Sequence, residues 1–371
     1  MSSTVQGSEI WVVKVGSSLV TAEGQGLNDT LIDRWVGDIV KLLSRGIRVV
    51  LVSSGAVAEG MARLGLMERP KSIAQLQAAA AVGQMGLIQH YQTSFDQHKV
   101  KTAQVLLTDS DLSARDRYLN ARNTLINLLA LGVVPIVNEN DTVVTDEIRF
   151  GDNDRLAARV ANLLDAIRLV LMTDQPGLFE QDPRVNSTAQ IIPMIAASDT
   201  LLDSVAGEGG KWGRGGMISK VQAARIAARS GCQTSICSGT EPNILNAIMD
   251  GETPGTLIHA DKPIIGARKQ WLSSLTSSGV LRVDAGAAKA LLGGGKSLLA
   301  VGITAIEGEF GQGALVSCQG PTGQEICRGL TNYASNELLR IKGKNTQAIE
   351  SELGFAVDEE VIHRDDMWLV S

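Results

Sequence analysis

Apolar positions along the chain fall into short, nearly continuous runs separated by longer stretches of helical periodicity. Residues 10–15, 47–52, 133–137 and 167–172 read as buried strands, and 100–107 and 233–237 as further strands. Residues 28–44 read as a helix: Leu31, Ile32, Trp35, Ile39, Leu42 and Leu43 share one face, Asn28 suits the N-cap, and Gly46 ends it. Residues 72–98 (rich in Ala and Gln), 115–130, 156–164, 241–249 and an Ala-rich stretch ending near Ser230 read as further helices. Strands alternating with helices predict βαβ units and a mostly parallel open sheet flanked by helices, over residues 1–262.

The pattern changes beyond residue 262. Pro263 and its polar neighbours suit a linker over 263–278. Residues 279–356 carry short apolar segments between frequent glycines: 280–283, 297–301, 314–318 and 325–330, with short helices at 287–292 and 336–341. This predicts a small β-rich second domain, followed by a tail at 357–371.

Three strand ends carry polar chemistry. Lys14 interrupts an otherwise apolar run that empties into Gly16-Ser17-Ser18. A buried lysine is costly unless it is paired or faces a polar site. The run ending at Val52 opens into Ser53-Ser54-Gly55-Ala56 and then a helix, an arrangement that places an anion at a helix N-terminus. It is not a Walker loop, since the Gly-x-x-x-x-Gly-Lys-Ser/Thr spacing is missing there. The run ending at Val137 opens into Asn138-Glu139-Asn140-Asp141, and Gly151-Asp152-Asn153-Asp154 follows shortly after. Polar side chains beyond strand ends lie where open α/β sheets bind ligands. A glycine-rich segment, 207–216, leads through Met217-Ile218-Ser219-Lys220 directly into a helix and reads as a phosphate cradle. Each feature keeps a plain structural alternative on the sequence alone: an edge strand with Lys14 on its wet face, a tight βα turn, an acidic turn with a helix cap, a linker.

Composition narrows the field. The chain has 371 residues, 44% hydrophobic and 20% charged, with a formal net charge of -6. That is an ordinary globular balance and no basic footprint for nucleic acid. The four cysteines lack Cys-x-x-Cys spacing, and the four histidines are scattered, so no metal site is assigned and a reducing compartment is expected. No basic segment precedes an apolar run at the N-terminus and no run reaches the length of a membrane span, so a cytoplasmic protein without a membrane partner is expected.

Four stretches together resemble the amino-acid kinase family, and more closely its branch that phosphorylates glutamate and carries a C-terminal PUA domain. They are Lys14-Val15-Gly16-Ser17-Ser18, Ser53-Ser54-Gly55-Ala56, the cluster from Asn138 to Asp154, and Gly213 to Lys220. In the second domain the match runs through Arg282-Val283-Asp284-Ala285-Gly286-Ala287 and the terminal His363-Arg364-Asp365-Asp366-Met367. The resemblance implies ATP-dependent phosphorylation of the side-chain carboxylate of L-glutamate to L-glutamyl 5-phosphate, the first step of proline biosynthesis, with Mg²⁺ and with proline as feedback inhibitor. It also implies a homo-oligomer, and hand-over of the labile product to glutamyl-phosphate reductase.

Residue by residue, Lys14 and Lys220 match the lysines that flank the transferred phosphate, and Asp154 the carboxylate that holds them. Ser54, Asp141 and Asn153 match substrate positions, with Asp152 beside them. Gly16, Ser17, Thr173, Asp174, Arg214, Gly215, Gly216, Met217, Ile218 and Ser219, together with the two lysines, match the ATP-binding region. The segment 207–212 departs from the family pattern, so Lys211 and Trp212 receive no role. A carboxylate nucleophile is ionised at neutral pH and needs no general base, which agrees with the absence of a catalytic histidine. In the PUA-like domain, seven Lys and Arg balance seven Asp and Glu over 279–356, which disfavours RNA binding there.

Overall fold

The computed structural model describes residues 9–21, 26–144, 153–183, 185–206, 216–261, 277–293, 295–354 and 359–369. The chain divides into two compact units, one within Met1–Leu112 and Arg122–Ile264, the other within Ser113–Ala121 and Ile265–Ser371. Most of the expected linker, 263–278, lies outside the described residues.

The first unit is built on strands β1 (Ile10–Val15), β2 (Arg48–Val52), β3 (Thr102–Leu107), β4 (Val134–Glu139), β5 (Arg168–Thr173), β6 (Met194–Ala196), β7 (Gln233–Ser238) and β8 (Thr256–His259). They form one eight-stranded sheet in the order β3-β4-β2-β1-β5-β7-β8-β6. Every neighbouring pair runs parallel except β7 with β8. Among the helices are α1 (Ser17–Val20), α2 (Asp29–Ser44), α3 (Ala56–Arg63), α4 (Ile73–Gln97), α5 (Arg115–Ala130, of which 115–121 belong to the second unit), α6 (Asp154–Leu163), α7 (Leu201–Ala206), α8 (Met217–Ala228) and α9 (Ile244–Met249). The central strands β1, β2 and β4 are buried almost throughout, as parallel strands covered on both faces must be.

Local signals set the boundaries. Asn28 Oδ1 accepts the Leu31 amide at 3.2 Å and starts α2, and Gly46, at φ +85°, supplies the left-handed residue that follows its end. Trp35 and Ile39 from α2 pack with Val13 and Val49 of the sheet and with Leu87 and Phe95 of α4 in one core. Strand β4 runs two residues past the apolar run, through Asn138 and Glu139, because the Asn138 side chain is satisfied inside the protein.

Helices α3 and α4 cross at glycines. A Cβ on Gly83 would stand 1.9 Å from the Ala56 carbonyl oxygen, and one on Gly60 would stand 1.7 Å from that of Ala79. No other residue permits that approach. It fixes α4 against the Ser53–Ala56 turn.

The second unit holds β9 (Gly279–Val283), β10 (Ile303–Glu307), β11 (Leu315–Gln319), β12 (Glu325–Leu330) and β13 (Met367–Leu369), in the sheet order β10-β9-β11-β12-β13. Helices α10 (Ala285–Leu292), α11 (Ser335–Ile341) and α12 (Thr346–Leu353) belong to it. Its core gathers Leu281, Val316, Ile326, Tyr333 and Ile341. Residues 297–301, expected as a β segment, instead make an isolated bridge from Leu298 to Ile362 and a 3-10 turn, Ala300–Gly302; the strand follows at Ile303–Glu307. Backbone amides at Val361 and Ile362 bond the Leu298 carbonyl, which is why the apolar residues there do not enter a ladder. The C-terminal segment pairs with β12 as a fifth strand. Leu119, from the segment Ser113–Ala121, packs with Leu315 and Leu330.

Candidate active site

The C-terminal ends of β1, β2, β4 and β5 deliver the polar residues to one edge of the first sheet. Parallel register puts Lys14 opposite Val52 and Leu171, and Val52 opposite Val137. The four strands therefore end together, in the place where open α/β sheets bind ligands.

Lys14 is only 1% exposed, and its Nζ lies 2.6 Å from Asp154 Oδ1. Lys220, in the first turn of α8, meets the other oxygen of the same carboxylate at 3.0 Å. Ser219 Oγ donates to that oxygen at 2.8 Å. Burial by itself would raise the Asp154 carboxyl, but the two ammonium groups overcome it and hold the pKa down at about 2. Two lysines against one carboxylate leave net positive charge in a dry place, which suits the oxygens of a transferring phosphoryl group. The Asp154 bridge also keeps the ammonium groups from repelling one another out of position.

Asn153 stands one residue earlier, at the N-cap of α6, yet its side chain makes no capping bond. Its Nδ2 donates to the Ser53 carbonyl and to Asn138 Oδ1, each at 2.7 Å. Asn138 Oδ1 also accepts the Glu139 amide, and Asn138 Nδ2 donates to Gln84 Oε1 at 2.6 Å. Ser53 Oγ and the buried Tyr91 hydroxyl are 3.0 Å apart. Ser54 is fully buried, and its hydroxyl has no hydrogen-bond partner among the described residues. Asp141 is 4% exposed and shares with Glu139 and Gln84 the wall of a cavity of about 640 Å³. Carboxylates and amides gathered in this way can recognise an ammonium and a carboxylate on one small molecule.

Gly16 donates its backbone amide to the Met172 carbonyl at 3.2 Å, tying the β1 turn to β5, and Ser17 opens α1. Gly55, at φ +101°, turns the chain from β2 into α3 in a conformation that disfavours side chains. Thr173 ends β5 and donates to Asp174 Oδ1 at 2.9 Å. Gly216 caps α8, Met217 is buried and Ile218 is 36% exposed in its first turn. Arg214 and Gly215, with Lys211, Trp212, Gly151 and Asp152, lie outside the described residues. Asn138, Ser53, Gln84 and Tyr91 were given no site role from the sequence; all four join the hydrogen-bonded network around Asn153. A signal for two of them lies in α4, where Gln77, Gln84 and Tyr91 recur every seventh residue.

Other nucleophiles are closed off. The four cysteines are free and buried, and burial pushes the Cys232 and Cys237 thiols up to about 12. Among the described residues, no group of three or more His, Cys, Asp and Glu could hold a metal ion.

Comparison with known proteins gives the family. The amino acid kinase family matches residues 9–238, and the PUA domain matches 279–353. The chain is 54% identical over 361 residues to a glutamate 5-kinase of Alcanivorax borkumensis, covering 97% of this chain and 96% of that one. It is 55% identical over 360 residues to the glutamate 5-kinase of Chromohalobacter salexigens, covering 97% and 95%. It is 52% identical to that of Pseudomonas syringae over 372 residues, with 100% of both chains covered. Among solved structures, UMP kinase from Bacillus anthracis superposes on 68% of this chain and 97% of its own, at 16% identity and a TM-score of 0.46. The chain belongs to the amino acid kinase family and, by its full-length relatives, to the glutamate 5-kinases within it.

Proposed function

We propose that the protein transfers the γ-phosphoryl group of ATP to the side-chain carboxylate of L-glutamate, giving L-glutamyl 5-phosphate for proline synthesis. The observation that carries this reading is the single buried carboxylate of Asp154, bridging Lys14 and Lys220 from two separate strand–helix junctions, with the hydrogen-bonded amide network starting at the preceding residue. The reaction brings two anions together. Its demands are charge neutralisation and alignment, with no proton to remove from the nucleophile. Lys14 and Lys220 face the transferred phosphoryl group, and Asp154 holds them apart and charged. Asp141 and Asn153 with Ser54 take the amino-acid end. Gly16, Ser17, Thr173, Asp174 and the segment 214–219 take the nucleotide.

Mg²⁺ fits as an ion carried on phosphate oxygens and water, because Asp154 is committed to the lysines and no protein cage stands among the described residues. The ion neutralises phosphate charge when bound. Inhibition by proline, a homo-oligomeric state and hand-over of the acyl phosphate to glutamyl-phosphate reductase belong to the same proposal on family resemblance. Among the described residues no helix is long and apolar enough to cross a membrane; a cytoplasmic location belongs to the proposal on family resemblance. Trapping the acyl phosphate with hydroxylamine across glutamate, aspartate and N-acetylglutamate tests the reading: glutamate must give the hydroxamate. A proline titration of the same assay tests the inhibition.

A further inference from the structure

Helix α4 presents one polar stripe to the amino-acid end of the site. Gln77, Gln84 and Tyr91 lie seven residues apart, two helical turns each, and so on one face. Gln77 Nε2 donates to the Asp141 carbonyl at 3.0 Å. Gln84 Oε1 accepts from Asn138 Nδ2 at 2.6 Å. Tyr91 meets Ser53 Oγ at 3.0 Å. The glycine crossing at Gly60 and Gly83 leaves this stripe little freedom to shift.

Within that stripe one group stands out. Gln84 is only 9% exposed, and its Nε2 has no hydrogen-bond partner among the described residues. A buried amide donor left unpaired costs stability, so a site that keeps one gains from it when a ligand binds. The orientation of the amide is fixed by its neighbour. Asn153 Nδ2 spends both protons on the Ser53 carbonyl and Asn138 Oδ1, so Asn138 must turn its Nδ2 toward Gln84, and Gln84 must offer its oxygen there. Gln84 Nε2 is then left as a pure donor on a residue that lines the same cavity as Glu139 and Asp141, and what it recognises is an acceptor.

We infer that Gln84 is a substrate-binding residue whose Nε2 donates to the α-carboxylate of the amino-acid substrate, with Gln77 and Tyr91 as positioning residues. This rests on the glutamate-kinase reading above and deepens it. Glutamate has two acceptor groups. Its side-chain carboxylate must reach the phosphoryl group at Lys14 and Lys220. Gln84 is separated from that place by Asn138 and Asn153, so it meets the other carboxylate. The acidic pair Glu139 and Asp141, lining the same cavity, suits the α-ammonium.

The test compares glutamate with its α-amide, isoglutamine, which keeps the side-chain carboxylate and changes only the α end. Gln84→Met, of similar length and without a donor, raises the glutamate KM about 10- to 100-fold with kcat changed less than about threefold. In Gln84→Glu the new carboxylate repels the α-carboxylate but accepts from the α-amide, so the kcat/KM ratio of glutamate to isoglutamine falls at least about tenfold against wild type. A purely structural role would depress both substrates alike, and an unchanged ratio in a variant with wild-type circular dichroism and melting overturns the inference. Should Gln84→Glu not fold, the same comparison is read on Gln84→Met, whose ratio also falls. A wild-type enzyme that forms no acyl phosphate from glutamate would overturn the functional reading itself; an active wild type with an unmoved ratio overturns only the role of Gln84.

Discussion

Asn153 and Asp154 are consecutive residues whose side chains serve opposite halves of the site. Asn153 gives its amide protons to Ser53 and Asn138, while Asp154 clamps Lys14 and Lys220. The border between amino-acid recognition and phosphoryl transfer is therefore a single peptide unit at the start of α6. Asn153 gives up a helix cap to stand there, and a local preference overridden in this way is expected at functional positions.

The two lysines act on charge that develops at the phosphoryl group. Lys14→Ala and Lys220→Ala should each lower kcat by about two to three orders of magnitude, with a much smaller change in the glutamate KM. Steady-state kinetics with both substrates varied checks this. A large rise in the glutamate KM at unchanged kcat would reassign the lysines to substrate binding.

Asp141 stands on the other side of the border. Asp141→Ala should raise the glutamate KM at least about tenfold while leaving the ATP KM near wild type, since what is lost is recognition of the α-ammonium. The same kinetics decide it, and a loss confined to kcat would speak against the assignment.

The Asp154 bridge makes a statement about acid stability. Its pKa is about 2 in the folded protein, below the ordinary carboxylate value of 3.8. A depressed carboxylate stabilises the fold at pH above its unfolded value, and that contribution is lost as pH falls through the folded one. The window is thus about pH 4 down to about 2, and the contribution is about 2 kcal/mol. Denaturant unfolding of wild type and Asp154→Asn should give stability curves that differ by a constant above pH 5 and converge in that window. Asp154→Ala, which leaves two buried ammonium groups uncompensated, should cost about 3–5 kcal/mol, read from the same unfolding curves at neutral pH.

The glycine crossing supports the site from behind. In Gly83→Ala the new methyl would meet the Ala56 carbonyl oxygen at 1.9 Å and the Gly60 nitrogen at 2.3 Å, both backbone atoms that have no rotamer to yield. Overpacking of this kind costs about 1–3 kcal/mol or more, enough to lower the melting temperature by roughly 2–10 °C. Thermal melting checks it. The glutamate KM should rise as well, because α4 carries Gln77, Gln84 and Tyr91.

Much of this was legible in the sequence, for identifiable reasons. Six strands of the first unit are legible, the central ones because burial on both faces leaves no polar alternation, and Lys14 is conspicuous inside such a run; β6 and β8, three and four residues long, are too short to carry a pattern. The pairing of Lys14 with Asp154 and Lys220 was reached only through family resemblance, since residues 14, 154 and 220 meet through sheet order, which no local pattern encodes. Gln84 and Tyr91 were read as part of an Ala- and Gln-rich helix. Their seven-residue spacing becomes informative only when Asn138 and Ser53 are known to face it. In the second unit the pattern misplaced β10, because the apolar run 297–301 satisfies its backbone against the C-terminal segment, a pairing across more than sixty residues.

The account stands or falls on the acceptor of the phosphoryl group. The most direct measurement is hydroxylamine trapping with purified protein, Mg²⁺ and ATP, comparing L-glutamate with aspartate and N-acetylglutamate. The expected result is glutamyl hydroxamate in amounts that depend on glutamate and fall by about two to three orders of magnitude in Lys14→Ala. Hydroxamate from aspartate or N-acetylglutamate, with none from glutamate, would contradict it.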